Sequence, residues 1–276
     1  MGNRFSTRHK LQEAEMKIAI LYTGEYRTPS LFNFDNFISN IRNLLDEFSE
    51  DEIDIFLTTW HKPNQDIAFN NFKIVDCETQ SKYINDILNY EEYEKFLCNY
   101  NNKDPIYNKW TPVEDMQRVS LTAPYIYYKL HRGLNIIKKY SEVNNINYDL
   151  IIKTRTDISL HGKLSKNYIS SLKDDGVYIK QVGEKQASNP HISAYSLYTN
   201  GWFDDSFFYF KPTQLDNVKN IYNEYYDICV KNNTWITHVV FNKFFEKHNI
   251  KTYDHHIDMH IHRSNGSWFQ PIFYAS

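Results

Sequence analysis

Tyr148-Asp149-Leu150-Ile151-Ile152-Lys153-Thr154-Arg155-Thr156-Asp157 is the stretch on which the fold turns. An apolar run of strand length gives way to alternating charged and hydroxyl side chains, with a carboxylate at its lip. In open α/β sheets ligands collect outside the carboxyl ends of strands, so Asp157 stands where a cofactor or metal would be held. The competing reading is a buried strand followed by a turn in which Arg155 and Asp157 merely pair.

Working outward, Lys17–Thr23 (KIAILYT) is a second short apolar run, closed by Gly24, and reads as a buried first strand followed by a loop. Phe34, Phe37, Ile38, Ile41, Leu44, Leu45 and Phe48 then fall at helical spacing. Ile53–Thr59 (IDIFLTT) reads as the second strand, ending at Trp60-His61-Lys62-Pro63, and Phe72–Asp76 as the third. This β-α-β-β order favours a mainly parallel sheet covered by helices, an α/β fold. Glu91–Tyr100 has helical character, and the segment around Pro105 reads as an irregular loop. From Glu114 to Val143 apolar residues recur at spacings of three and four, which predicts an amphipathic helix interrupted or kinked at Pro124. It delivers the chain into the 148–157 strand.

Downstream, Gly176–Val182 is a strand candidate, and residues 183–203 read as a long polar loop, a lid or acceptor loop. Ser206–Phe210 is an apolar strand with Asp204 and Asp205 immediately before it. Helices are expected at about 213–231 and 235–248, and Thr252–Arg263 alternates as strands do. With no internal repeat and no proline-rich linker, residues 16–276 read as one domain. Residues 1–15 are polar and charged and read as a disordered leader or an added extension.

The 276 residues are enough to bury a sizeable core. Hydrophobic residues make up 41% and charged residues 24%, ordinary for a globular protein, whereas 22 Tyr and 18 Phe are unusual. Tyrosine stacks on flat or sugar-like ligands while offering a hydroxyl. A net charge of −3 argues against a nucleic-acid partner. Cys77, Cys98 and Cys229 lack metal or disulfide spacing and fit reduced thiols in a cytoplasmic setting. No run of about 18 apolar residues exists, so any membrane contact would be peripheral.

Three strand ends offer polar groups: Thr23-Gly24-Glu25-Tyr26-Arg27, Thr59-Trp60-His61-Lys62 and Arg155-Thr156-Asp157. Gly24 lets a ligand approach the backbone, and Arg27 presents a planar donor fork suited to phosphate oxygens. Lys153 should point to the opposite face from Thr154, which makes it a poorer ligand contact than Arg155. Trp60 is equally a platform for a base or a core residue. Neither G-x-x-x-x-G-K-[ST] nor G-x-G-x-x-G occurs.

The combination of GEYR after the first strand, IDIFLTTW, YDLIIKTRTD and WFDDSFFYF resembles GT-A-type glycosyltransferases of polysaccharide and lipopolysaccharide assembly. It is most similar to the WavE-like and virus-encoded members, in which R-x-D replaces D-x-D. The resemblance implies a single GT-A-like domain, a nucleotide-diphosphate sugar donor and a saccharide or glycan acceptor. It also implies a Mn²⁺ or Mg²⁺ ion, since D-x-D carboxylates hold such an ion against the diphosphate. Here Arg155 stands in place of the first carboxylate. Asp157 is then the one remaining ligand of that motif, or Arg155 meets phosphate directly.

Members of this family often place an acidic residue near the WFDDSFFYF segment as the base that removes the acceptor proton; Asp205 is preferred over Asp204. The alternative is that both only form a turn. Family members also take a metal ligand from a late histidine. If Asp254–His262 is one strand, His256, Asp258, His260 and His262 share a face, with His260 and His262 the candidate ligands; a solvated edge strand is the other reading. Tyr195, Tyr198 and Trp202 would line the acceptor side. The function expected is hexosyl transfer to a saccharide hydroxyl in glycan synthesis. A non-catalytic carbohydrate-binding or assembly protein, and a metal-dependent phosphoesterase built on Asp157, Asp205 and the histidines, are the rivals.

Overall fold

The computed structural model describes residues 16–24, 34–60, 73–77, 113–155, 158–182, 202–232 and 237–261. In chain order the elements are β1 (Ile18–Thr23), α1 (Phe34–Leu44), β2 (Ile53–Thr59), β3 (Ile74–Cys77), α2 (Val113–Asn144), β4 (Leu150–Thr154), β5 (Ile158–His161), α3 (Lys166–Ser171), β6 (Gly176–Val182), β7 (Trp202–Phe210), α4 (Leu215–Lys219), α5 (Ile221–Asn232), α6 (Thr237–Lys247), β8 (Lys251–Tyr253) and β9 (Asp258–Ile261).

Seven strands form one mixed sheet in the order β3-β2-β1-β4-β7-β6-β8, and β5 pairs with β9 in a separate ribbon. β1, β2, β3 and β4 run parallel, as do β6 and β8, while β7 is antiparallel to both of its neighbours. This is the mainly parallel, helix-flanked α/β sheet that the sequence leads one to expect. Every residue of β1 and β4 is buried, and both strands open on apolar runs, Ile18–Tyr22 and Leu150–Ile152, as suits strands covered on both faces.

Alternation along the strands divides the core in two. Ala19, Leu21, Phe56 and Ile151 face the cluster built with α2, α5 and α6, including Leu130, Leu134, Phe241 and Phe244. Ile18, Ile20, Ile55, Leu150 and Ile152 face the other cluster, with Ile41 and Leu44 of α1, Leu160 of β5 and Met259 of β9. Each such leucine, isoleucine, phenylalanine or methionine side chain stabilises the fold by roughly 1.5–3 kcal/mol on full burial. The decisive stretch is also tied down at its amino end. Tyr148 donates from its hydroxyl to Asp54 Oδ2 at 2.7 Å, and Lys17 N donates to Asp149 Oδ2 at 2.8 Å.

Several expectations need correction. The strand within 148–157 is β4, Leu150–Thr154, and ends before Arg155. The third strand is displaced to Ile74–Cys77. α2 runs from Val113 to Asn144 without interruption at Pro124. A proline removes one helical hydrogen bond, and the buried stripe of Tyr127, Leu130, Leu134 and Ile137 against the sheet carries the helix onward. The helix expected over 213–231 breaks at Asn220 into α4 and α5, after a 3₁₀ turn at Pro212–Gln214. Asp204 and Asp205 do not precede the strand; they lie inside β7, which begins at Trp202. Trp202 therefore pairs with Val182 in the sheet rather than standing in a loop.

The histidine-rich tail is not one strand. β8 extends the main sheet beside β6, and β9 crosses to β5, with 254–257 connecting them. His255 and His256 fall in that connector, so His256 does not share a strand face with Asp258 and His260. His255 is buried, stacked on Tyr209 at 5.6 Å with Phe207 edge-on at 5.2 Å. His256 is exposed, with Nε2 2.9 Å from Lys163 O.

Candidate active site

Because β7 runs against its neighbours, its amino end lies at the same edge of the sheet as the carboxyl ends of β1, β2, β4 and β6. Gly24, Trp60, Arg155, Asp204 and Asp205 therefore belong to one edge, although the sequence separates them by up to 181 residues (205 − 24). Arg27, Asp157, His262, Tyr195 and Tyr198 lie outside the described residues.

Gly24 follows β1 directly. Its N–H donates to Thr58 O at 3.2 Å, which anchors the turn between two strand ends. Its φ is +115°, a left-handed conformation that L side chains rarely adopt, and among the described residues a Cβ there would meet nothing within 4 Å. The backbone conformation is thus what calls for glycine here. Arg155, the first residue beyond β4, is half-buried. Just before it, Thr154 is 1% exposed and its Oγ1 has no hydrogen-bond partner among the described residues.

Trp60 is 4% exposed, stacked on Tyr128 at 5.9 Å, with Lys129 Nζ 4.1 Å from its ring centroid. Of the two roles weighed for it, packing is the one in which its ring is engaged. The lysine that covers it is itself fully buried and lies 4.0 Å from Asp76 Oδ2, while Arg132 donates to both oxygens of Asp76 at 2.5 and 2.8 Å. Nothing in the sequence marked Lys129, Asp76 or Arg132: they come from α2 and β3 and meet only when that helix crosses the sheet.

Across β4 stands Asp205, 6% exposed. Burial, and after it the charges of Cys229, Asp205 and Tyr225, push the Tyr127 hydroxyl well above its ordinary value, so the Asp205 carboxylate lies within electrostatic range of α2. β7 is irregular here. Its five steps from Phe203 to Phe208 span only two of β6, Gln181 to Ile179, three more than an even ladder. Lys153, pointing away from Thr154 as alternation requires, is 1% exposed and donates from Nζ to Asp205 O and, at 3.4 Å, to Ser206 O.

The β5–β9 ribbon returns the tail to this region. His260 is opposite Ser159, and the last described pair, Ile158 with Ile261, is adjacent in sequence to Asp157 on one strand and His262 on the other. Among the described residues no group of three or more His, Cys, Asp or Glu side chains is placed to hold a metal ion. Among the same residues, no helix is long and apolar enough to cross a membrane.

No protein-family model and no curated protein matches the chain. Among solved structures it is similar to the glycosyltransferase GlyE of Streptococcus pneumoniae TIGR4. The apo form is 11% identical with a TM-score of 0.42, covering 86% of this chain and 45% of that one. A second GlyE structure is 9% identical with a TM-score of 0.42, covering 87% and 45%. Mouse xyloside xylosyltransferase 1, in its apo form, is 7% identical with a TM-score of 0.38, covering 87% of this chain and 84% of that one. The chain spans about 45% of the length of the two GlyE chains. At these values the likeness does not extend to activity or substrate.

Proposed function

We propose that the protein is a nucleotide-sugar-dependent glycosyltransferase that moves a hexose to a saccharide hydroxyl. The observation that carries this reading is the assembly at one sheet edge of the glycine turn at Gly24, a cation just beyond β4, Arg155, and a carboxylate residue on β7, Asp205. A diphosphate needs close backbone approach and a planar cation; an acceptor hydroxyl needs a base. On this reading Gly24 admits the donor, Arg155 and Arg27 meet its diphosphate, and Asp205 accepts the acceptor proton. The acceptor oxygen then bonds to the anomeric carbon as the bond from that carbon to the diphosphate breaks, which inverts the centre. Asp204 is the fallback for the base.

A divalent cation, Mn²⁺ or Mg²⁺, belongs to the proposal. Asp157, His260 and His262 would hold it, supported by the ladder that sets the neighbour of Asp157 opposite the neighbour of His262. When bound it would neutralise charge on the diphosphate.

A thermal-shift screen of UDP- and GDP-sugars tests the reading. At a concentration 100 times its Kd, a donor that binds only the native state should add about 2.7 kcal/mol of stability. Stabilisation accompanied by slow release of free sugar without acceptor supports an enzyme, whereas stabilisation by free saccharides alone supports the carbohydrate-binding alternative. No response to any nucleotide sugar rejects the proposal.

A further inference from the structure

We propose that Lys153 is a positioning residue of the candidate active site, its buried amino group holding the Asp205–Ser206 backbone in the irregular part of β7. Lys153 sits in a central, fully buried strand directly after three apolar residues, Leu150, Ile151 and Ile152. A leucine there would pack without desolvating a polar group, and burying a lysine is costly unless its donors are answered. They are answered by Asp205 O and Ser206 O, with the Phe208 ring 5.6 Å from Nζ.

Pairing of β4 with β7 ends at Lys153 opposite Phe208, and pairing with β6 skips residues 204–207. A buried main-chain carbonyl requires a donor, and Lys153 donates to Asp205 O and Ser206 O from the neighbouring strand, one residue before Thr154 and two before Arg155. The same side chain thus joins the phosphate side of the proposed site to its acidic side, and the direction of the Asp205 carboxylate depends on it.

The catalytic part of this inference rests on the proposed function; the structural part does not. Lys153→Met keeps length and apolar bulk and removes the donor. Amide hydrogen exchange in Lys153→Met should accelerate in residues 204–207 and remain as in wild type in β1 and β2. Turnover should fall about 10²-fold, the scale expected for a misplaced catalytic group, while donor affinity holds. Lys153→Arg, which retains donors, should recover part of that turnover. Unchanged exchange at 204–207, an even rise across the sheet, or full turnover despite a loosened segment would each overturn the proposal. If Lys153→Met does not fold, the wild type decides: a coupling through the hydrogen bond from Lys153 Nζ to the Asp205 carbonyl carbon is expected, and its absence overturns it. A wild type inert towards every nucleotide sugar rejects the proposed function instead, while the exchange result still decides the clamp.

Discussion

On the proposed function Arg155 and Asp205, which belong to the same sheet edge, have different tasks. Arg155→Ala should weaken nucleotide-sugar binding by about 1.5–3 kcal/mol, the range for a charge-assisted hydrogen bond, as read by calorimetry on the folded variant. Asp205→Asn should lower turnover by about 10²–10⁴-fold and leave donor affinity nearly unchanged, because a base acts on the acceptor. Survival of turnover in Asp205→Asn with loss in Asp204→Asn moves the base one residue back. A second carboxylate shows how burial and bonding compete. Burial alone would raise the Glu52 carboxyl, but hydrogen bonds from Lys166 at 2.7 Å and from Ser49 N at 2.8 Å outweigh it and hold it below its ordinary value. A carboxyl depressed on folding stabilises above its unfolded pKa and loses that contribution as pH falls through the folded value. Glu52→Gln should therefore cost about 1–2 kcal/mol at neutral pH, and the gap to wild type should close on acidification. A gap independent of pH would show that the charge is not the source.

At the scale of elements, packing at the β8 edge is set by a residue without a side chain. Gly176 is opposite Lys251, and a Cβ on it would lie 2.5 Å from Lys251 O and 2.6 Å from the Tyr253 ring. A main-chain oxygen cannot move aside as a flexible side chain can, so Gly176→Ala should displace β8 and destabilise by about 1–3 kcal/mol. Denaturant midpoints measure this, and an unchanged midpoint would mean that β8 is held loosely. The long apolar runs were legible as elements: β2 and β6 fall on the residues expected of them. β5 and α3 were not, since a strand of four residues and a helix of six show too little of either period, although Ser165 caps α3 by accepting from Tyr168 N at 3.1 Å. β7 was read short for a different reason. Its three surplus residues break the alternation between Phe203 and Phe208, so two aspartates inside a strand resemble a turn before one.

For the whole molecule, the proposed metal is a property that no single side chain would carry. With Arg155 in the first position of R-T-D, part of the charge that a cation would supply is already present, so EDTA should lower but not abolish stabilisation by a nucleotide sugar in a thermal-shift assay. Complete loss would assign phosphate binding to the metal, and no loss would leave Asp157 another task. The sequence alone determined the fold class and the central strands, because burial on both faces demands apolar runs whose lengths and order are written locally. It also marked Gly24 and Arg155, which stand immediately beyond such runs. Only the tertiary structure decided that β7 runs antiparallel, which brings Asp205 to the edge shared by Gly24 and Arg155. It alone divided the histidine tail between two sheets and turned Lys153 inward onto β7. Strand direction, the destination of a short segment and the partner of a buried lysine depend on residues distant in the chain, and no local pattern records them.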